Sequence, residues 1–198
     1  EVAEALDLCL SCKACKTECP VGVDMAAYKT EFLAQRYRRR PRPRTHYAMG
    51  ALPRWLALAR RSPVRSAFNA LARGPLAGVA KRLAGIDARR AIPTLARQPF
   101  TRTAAQAARG VAAPSPRATT HRPDARGRVL LWPDTFTDHF DPSILADAVA
   151  VLEALGYLVE LPPRPVCCGL TWTSTGQVGA ARRVLRRSLR TVEPWLTA

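Results

Sequence analysis

Apolar side chains recur at helical spacing in the segment that follows Asp24. Their positions are Met25, Tyr28, Phe32, Leu33 and Tyr37, which fall on one face of a helix with 3.6 residues per turn. Asp24 carries a carboxylate that can accept a hydrogen bond from the first turn, as helix N-caps do. The pattern predicts a helix over residues 25–39 whose apolar face packs over the loop before it, and a shorter helix at the N-terminus.

Prolines divide residues 41–125 into short intervals. Because proline fixes φ and lacks an N–H group, it ends or kinks a helix. The region therefore predicts short helices over residues 47–51, 54–61, 64–72 and 76–83, each with a basic face. Residues 109–128 combine proline with serine and threonine and predict a linker.

One of these short helices has two interpretations. Trp55, Leu56 and Leu58 lie among arginines at positions 54, 60 and 61, a composition that suits the surface of an anionic membrane. The more ordinary interpretation is that the apolar face packs on the protein itself.

Residues 126–198 alternate between strand-like and helix-like patterns. Apolar runs at 129–132 and 157–161 predict strands, and residues 142–155 and 176–189 predict helices, the first of them ended by Gly156. This order predicts a small parallel α/β sheet. Since sites in such sheets lie outside the carboxyl ends of the strands, we expect the loop at Asp134 and Thr135 to lie near residues 167–168.

The chain is strongly basic, with 31 Lys and Arg against 15 Asp and Glu and a net charge of +16. Such an excess is compatible with nucleic acid, an anionic membrane surface or an acidic partner. Nearly all the basic residues are arginine, and alanine and proline are abundant, which indicates a GC-rich coding bias. No nucleic-acid-binding motif accompanies the charge, so nucleic acid is not the expected partner.

Four cysteines within eleven residues carry the clearest chemistry. Cys9, Cys12, Cys15 and Cys19 precede Pro20, which gives the run C-x2-C-x2-C-x3-C-P. This is the spacing of a bacterial ferredoxin-type [4Fe–4S] motif. Cysteines three residues apart on a tight loop can turn their sulfurs toward one centre, and the proline stops a helix from continuing. The run predicts an iron–sulfur cluster and electron transfer.

Two assignments stay open for Cys19. In two-cluster ferredoxins the fourth cysteine of such a run binds the other cluster, so Cys9, Cys12 and Cys15 would hold one cluster and Cys19 would reach toward a second. The chain has no second copy of the run and begins at Glu1. We therefore expect a fragment whose partner motif lies upstream. Alternatively, Cys19 completes the ligand set itself.

Zinc and disulfides are the alternative uses of the run. A structural zinc site also takes four thiolates, but usually from two separated C-x2–4-C pairs. Disulfides are disfavoured because close neighbours on a loop pair poorly and densely bridged domains are usually small and secreted. Lys13 and Lys16 either offset the negative charge of a thiolate-bound cluster or are simply solvated.

The other two cysteines are adjacent, in Cys167-Cys168-Gly169. Successive side chains of a strand point to opposite faces, and a following glycine permits a bend. Two thiols at a strand end could face a bound cluster or a substrate. A free cysteine is also often a small buried hydrophobe, so the pair is a weak signal of a second site by itself and a stronger one beside the Cys9 run.

Three stretches of the chain resemble a known family: C-L-S-C-K-A-C-K-T-E-C-P-V-G-V-D-M, L-W-P-D-T-F-T-D-H-F-D-P and C-C-G-L-T-W-T-S-T-G-Q. The chain resembles the CCG domain of heterodisulfide reductase B subunits and of the anaerobic glycerol-3-phosphate dehydrogenase C subunit. It is more closely similar to the C-terminal iron–sulfur half of fused flavoproteins. Those proteins join an FAD-binding oxidase domain of the D-lactate or D-2-hydroxyglutarate dehydrogenase type to a ferredoxin-like domain and a CCG domain.

The resemblance implies a mixed fold in three parts. Residues 1–40 would be the second half of an α-helical, ferredoxin-like [4Fe–4S] domain, and residues 41–125 would be short helices and a Pro-rich linker. Residues 126–198 would be the first half of a small α/β CCG domain with a parallel sheet.

The resemblance also implies an oxidoreductase. FAD in an upstream domain would take a hydride from a D-2-hydroxy acid, and electrons would pass singly through [4Fe–4S] clusters to a quinone or a redox protein. The expected partners are the upstream flavin domain and that acceptor.

One departure from the family affects the second site. In the family a cysteine in a P-G-C-type turn follows the first strand, whereas this chain has Pro133-Asp134-Thr135, and the second CCG repeat is absent. Asp134, Asp138 and His139 could supply other ligands there. The competing interpretation is that they are polar loop residues and helix caps.

Iron–sulfur ligation implies a reducing compartment, so we expect a cytoplasmic protein, with the inner face of the membrane as an alternative. The longest apolar stretches fall far short of the roughly 18 residues that a membrane-spanning helix needs. Two other functions stay open. One is a subunit like heterodisulfide reductase B whose CCG cysteines do the chemistry. The other is a basic, zinc-binding protein that binds nucleic acid in a salt-dependent way.

Overall fold

Helices dominate the computed structural model, which describes residues 1–60, 62–108 and 125–196. In chain order the elements are α1 (Val2–Asp7), α2 (Ala14–Glu18), α3 (Met25–Arg36), α4 (Arg44–Ala48), α5 (Leu52–Leu58), α6 (Ser62–Arg73), α7 (Ala77–Ala84), α8 (Phe100–Ala108), β1 (Gly127–Leu130), α9 (Thr135–Phe140), α10 (Pro142–Ala154), β2 (Tyr157–Glu160), α11 (Leu170–Ser174) and α12 (Val178–Leu196). The mixed, mostly helical fold agrees with the sequence-based prediction.

The strands β1 and β2 form a two-stranded parallel sheet within the described residues. Gly127 lies opposite Tyr157, and Leu130 lies opposite Glu160. A parallel pair needs a crossover of a dozen or more residues, and α9 and α10 supply it. The predicted parallel order is confirmed, although β1 begins and ends two residues earlier than the predicted strand. Gly156 follows α10 with φ of +88°, the left-handed conformation expected after a helix.

A buried cluster of Phe100, Leu145, Val149 and Val159 covers one face of this sheet. Burying a large apolar side chain contributes about 1.5–3 kcal/mol, so these side chains explain why α10 and β2 pack together. Helix α8, which begins with Phe100, belongs to the same layer. The sequence pattern did not predict α8.

The four short helices predicted between residues 47 and 83 have counterparts in α4 to α7, with shifted boundaries. A second buried cluster joins Leu56, Ala59 and Leu95. Leu56 is 1% exposed, which confirms that α5 packs on the protein, whereas Trp55 and Leu58 stay 53% and 55% exposed. Arg61 and residues 109–124 of the predicted linker lie outside the described residues.

Helix α3 packs against α11 and α12 near the other end of the chain. Leu33 is buried, and a Cβ atom built on Gly176 would lie 2.5 Å from the Cβ atom of Leu33. Met25 and Tyr28 are exposed, so the prediction that this apolar face covers the preceding loop is wrong. The helix also ends at Arg36, three residues earlier than predicted.

Hydrogen bonds also join the segment after α3 to the residues that follow α11. The Arg42 guanidinium donates to the backbone oxygens of Thr175, at 2.6 Å, and Gly176, at 3.0 Å. The amide of Gln177 donates to the backbone oxygen of His46, at 2.9 Å. Residues early and late in the sequence therefore meet in one packed unit around α3 and α11.

Candidate iron–sulfur site

The cysteine run occupies an irregular loop between α1 and α2 and continues through α2. The N–H group of Cys9 donates to the backbone oxygen of Leu6, at 3.1 Å, just after α1 ends. Ser11 and Lys13 have φ values of +57° and +65°, a left-handed conformation that is uncommon outside glycine. Such backbone costs on the order of 1–3 kcal/mol per residue and concentrates at ligand sites. Two residues of this loop therefore hold a conformation of a kind that concentrates at ligand sites.

The four thiols of the run are free and accessible. Cys9 and Cys19 are half-buried, and Cys12 and Cys15 are exposed. Within the described ranges, no group of three or more His, Cys, Asp or Glu side chains converges as the ligands of one metal ion would. A cubane carries each thiolate on a separate iron, so its ligands stand further apart than those of a single tetrahedral ion.

Backbone N–H groups surround the thiol of Cys19. Hydrogen bonds from the N–H groups of Val23 and then Val21 lower the pKa of this thiol, and they outweigh a burial effect that raises it. The thiolate is the form that binds metal, and hydrogen bonds to cluster sulfurs tune the reduction potential. The N–H group of Ser11 likewise points at the Cys9 sulfur, at 3.4 Å. These donors fit an iron–sulfur group held by thiolates.

Both lysines of the run reach the same carboxylate. The ammonium groups of Lys13 and Lys16 lie 3.4 and 3.8 Å from Asp24. The Asp24 carboxylate also accepts a hydrogen bond from the N–H group of Ala27, at 2.9 Å, which confirms the predicted N-cap. This hydrogen bond is the largest cause of the lowered pKa of Asp24. Burial alone would raise that pKa, and Lys13 lowers it further. Because two cations share one anion, positive charge remains beside the cysteines.

Helix α3 contacts the cysteine loop through a polar side chain. The ammonium of Lys29 donates to the backbone oxygen of Cys9, at 2.7 Å. Lys29 and Leu33 are one helical turn apart, about 6 Å along the axis, and Leu33 is the residue that meets Gly176. Sequence analysis did not single out Lys29, because a lone lysine on a helix gives no signal of its partner.

Large apolar side chains flank the run and face solvent. Leu8, Leu10 and Val21 are 84%, 88% and 81% exposed. All three lie within two residues of Cys9 or Cys19 in the sequence.

Cys167 and Cys168 lie in the loop between β2 and α11. The prediction that they end a strand is wrong, because residues 161–169 contain none. The hydroxyl of Ser188 accepts from the N–H group of Cys167, at 2.9 Å, and donates to its backbone oxygen, at 3.0 Å. The N–H group of Gly169 points at the Cys167 sulfur, at 3.5 Å, while Cys168 is exposed. The predicted bend is present, since Gly169 has φ of +73°.

Asp134 serves as the N-cap of α9. Its carboxylate accepts hydrogen bonds from the N–H groups of Phe136, at 2.9 Å, and Thr137, at 3.2 Å. Burial raises the pKa of Asp134, but the hydrogen bonds from Thr137 and Phe136 outweigh it and leave the pKa lowered. The cap interpretation is therefore confirmed for this residue.

Asp138 and His139 are buried in a polar network with α8. Asp138 accepts hydrogen bonds from the N–H group of Thr101, at 2.8 Å, and from its hydroxyl, at 3.0 Å. The His139 ring lies 3.3 Å from Asp138, and burial lowers the pKa of His139 despite that carboxylate. No hydrogen bond or ion pair among the described residues joins this network to Cys167 or Cys168.

Comparison with curated proteins finds relatives over most of the chain. The D-2-hydroxyglutarate dehydrogenase of Escherichia coli (strain K12) is 29% identical over 166 residues, which cover 82% of this chain and 16% of that protein. The D-2-hydroxyglutarate dehydrogenase of Pantoea ananatis is 28% identical over the same shares. Lactate utilization protein A of Bacillus thuringiensis is 33% identical over 66 residues, or 33% of this chain and 28% of that protein.

The chain thus spans 16% of the length of the dehydrogenases that it matches. No family model matches the chain, and no solved structure matches it significantly. Among the described residues, no helix is both long enough and apolar enough to cross a bilayer.

Proposed function

We propose that the chain is the iron–sulfur electron-transfer module of an FAD-linked 2-hydroxyacid dehydrogenase, an oxidoreductase that passes electrons from flavin to a quinone or a redox protein. The observation that carries this proposal is the run of Cys9, Cys12, Cys15 and Cys19 on a strained loop with N–H donors around the last thiol. Similarity to D-2-hydroxyglutarate dehydrogenases over 82% of the chain supports it. In this proposal the FAD site would lie in the remainder of such a protein.

The four cysteines of the run are the proposed ligands of a [4Fe–4S] cluster, which would take up and release single electrons. The N–H groups near Cys19 and Cys9 would stabilise the thiolates. Lys13 and Lys16 would hold positive charge beside an anionic group while they also fasten the start of α3 through Asp24. The loop is thereby fixed to α3 at two places, by the ion pairs of Lys13 and Lys16 with Asp24 and by the Lys29 hydrogen bond.

Helix α3 offers a short connection from this loop to the second pair of cysteines. Lys29 contacts Cys9, and Leu33, one turn further along, meets Gly176 at the end of α11. The other end of α11 begins directly after the Cys168-Gly169 bend. We therefore propose Cys167 and Cys168 as a second redox site that shares a rigid support with the first.

The exposed side chains of Leu8, Leu10 and Val21 are the proposed contact for the flavin domain. They lie within two residues of Cys9 or Cys19 in the sequence, and a domain docked there would bring its flavin toward the cluster and exclude water from it. The proposed compartment is the reducing cytoplasm, and Trp55 and Leu58 are the exposed side chains that would serve a peripheral membrane contact.

The two rival functions have weaker support. A heterodisulfide-reductase-like role needs more ligands around Cys167 and Cys168, yet Asp134, which stands near the position of the family's additional cysteine, is occupied as a helix cap. A structural zinc site usually takes two separated C-x2–4-C pairs, whereas this run has ferredoxin-type spacing, and no nucleic-acid-binding motif accompanies the basic charge.

Metal and sulfide analysis tests the proposal. The chain is purified anaerobically, and iron, zinc, acid-labile sulfide and the visible spectrum are measured. We expect about four irons and four sulfides per chain, with broad visible absorbance. The Cys12→Ser variant should lose the absorbance, whereas the matched Cys168→Ser variant should keep the cluster of the first site. Zinc without sulfide, or an unchanged iron content in Cys12→Ser, would overturn the proposal.

A further inference from the structure

A dense group of arginines follows the end of α3 and takes no part in the proposed electron transfer. Six of the nine residues from 36 to 44 are arginine, namely Arg36, Arg38, Arg39, Arg40, Arg42 and Arg44. The first four line an open cavity of about 430 Å³, together with Phe32 and Gln35. This cavity, defined by Arg36, Arg38, Arg39 and Arg40, is called the arginine cleft below.

The charges of the arginine cleft are not neutralised by the protein. Within the described part of the chain, Arg38, Arg39 and Arg40 form no ion pair or hydrogen bond through their side chains. The Arg36 guanidinium lies over the rings of Phe32 and Tyr37, 5.8 and 5.9 Å from their centres. These guanidinium groups therefore keep their donors available for a ligand.

Nearby polar groups are already engaged with one another. Gln35 donates to the carboxylate of Glu31, at 2.6 Å, so this carboxylate is hydrogen-bonded to a neighbouring side chain on α3. Arg42 is committed to the backbone oxygens of Thr175 and Gly176. Arg42 is therefore not counted among the arginines available to a ligand, whereas the four cleft arginines are exposed.

Electrostatics favours an anion of high charge in this cleft. The C-terminus of α3 carries only about half a negative charge, which is small against four guanidinium charges. A single carboxylate would offset one of the four. Each terminal phosphate brings about −1.5 to −2 charges and three acceptor oxygens, and guanidinium groups bind phosphate oxygens in bidentate pairs. The cavity volume also lies in the range of roughly 300–1,000 Å³ typical of small-ligand sites.

We propose that the arginine cleft binds a ligand that carries two or more linked phosphate groups. Directly linked phosphates occur in free polyphosphates and nucleotides, and two phosphodiester groups joined through glycerol, each with one negative charge, form the headgroup of the phospholipid cardiolipin. A compact cleft at one helix end favours this ligand over nucleic acid, whose regularly spaced backbone phosphates call for an extended basic track.

The first experiment measures binding of inorganic tripolyphosphate to the full chain by calorimetry at about 150 mM salt, where surface charges are screened beyond about 8 Å. The test variant is R38Q/R39Q/R40Q. The matched control is R186Q/R187Q/R190Q, which removes the same charge from exposed positions on α12. We expect binding to weaken at least about tenfold in the test variant and less than about twofold in the control.

The second experiment identifies the source of the phosphates. Co-sedimentation is measured with vesicles of phosphatidylcholine alone and of phosphatidylcholine with cardiolipin, with and without tripolyphosphate. Cardiolipin-dependent binding that tripolyphosphate displaces assigns the cleft to a lipid headgroup. Tripolyphosphate binding without vesicle binding assigns it to a free ligand.

Three results would overturn the proposal. One is an absence of tripolyphosphate binding to the folded chain. Another is an equal loss of affinity in the two triple variants, because net charge alone would then explain the binding. The third is binding to a single-stranded oligonucleotide that is tighter than binding to tripolyphosphate, since the ligand would then be nucleic acid. Circular dichroism of both variants confirms that each keeps its helices.

Discussion

Replacing Gly176 with alanine should destabilise the protein in two ways, by straining the local backbone and by disrupting the contact between α3 and α11. Gly176 has φ of +68°, and an L-residue in that conformation costs about 1–2 kcal/mol. The added methyl group would also lie 2.5 Å from the Leu33 Cβ atom and 2.7 Å from the Ala34 nitrogen. Because the backbone of α3 fixes the positions of those two atoms, they cannot rotate away. The overlap therefore costs about 1–3 kcal/mol more. The expected loss in the free energy of unfolding is therefore about 2–5 kcal/mol.

Two other glycines supply matched controls. Gly156 also has a positive φ, of +88°, but the nearest atom to an added Cβ is the Arg126 Cγ atom at 3.6 Å, so Gly156→Ala should cost only about 1–2 kcal/mol. Gly78 lies inside α7 with nothing within 4 Å of an added Cβ. Gly78→Ala should leave stability unchanged or raise it by about 0.5–1 kcal/mol.

Urea unfolding of the three variants measures these differences. Trp172, one of four tryptophans, is 2% exposed and lies in α11, so tryptophan fluorescence changes when this region unfolds. We expect the unfolding midpoint to fall most for Gly176→Ala, less for Gly156→Ala and not at all for Gly78→Ala. Equal losses for Gly176→Ala and Gly156→Ala would refute the reasoning, because α3 would then not approach α11 closely.

Two further predictions concern single polar groups. Asp134→Ala should cost about 0.5–2 kcal/mol at neutral pH through loss of the α9 cap. The folded-state pKa of Asp134 is lowered below 3.8, so this stabilisation is present above that value and disappears as the pH falls through the folded-state pKa. The prediction is contradicted if the urea midpoints of the variant and the unchanged chain differ equally at neutral and at strongly acid pH. Ser188→Ala should cost about 1–3 kcal/mol, because it leaves the partly buried N–H and carbonyl groups of Cys167 without their hydrogen-bond partner, and it should speed thiol labelling of Cys167. The control Ser174→Ala, which loses one hydrogen bond to Thr171, should change neither the unfolding midpoint nor the labelling rate appreciably.

Local sequence signals were reliable where neighbouring residues decide the structure. The Asp24 cap, the Gly156 terminator and the parallel order of β1 and β2 follow from short-range rules, because a carboxylate accepts from the next turn and a crossover helix forces parallel strands. The same local signals could not predict what the apolar face of α3 packs against, and that prediction was wrong. Periodicity shows that Leu33 is on an apolar stripe, but it contains no information on which distant surface will meet it.

Elements that depend on a tertiary partner escaped the sequence analysis. Helix α8 has Phe100 as its single large apolar side chain among alanines and polar residues, and Phe100 packs in the sheet cluster. Helix α11 is five residues long, which is too short to be stable alone, and its packing against α3 supports it. The buried pair Asp138 and His139 was considered as a set of ligands, whereas the structure commits Asp138 to Thr101 of α8.

The sequence by itself determined the candidate chemistry of this protein. The spacing of Cys9, Cys12, Cys15 and Cys19 is a covalent property of the chain, and it predicts iron–sulfur ligation without reference to the rest of the fold. Tertiary structure alone decided what surrounds those cysteines. Lys29 meets Cys9, and Leu33 meets Gly176, because α3 packs between residues far apart in sequence. Such contacts depend on how buried surfaces fit together in space, and linear spacing does not encode that fit.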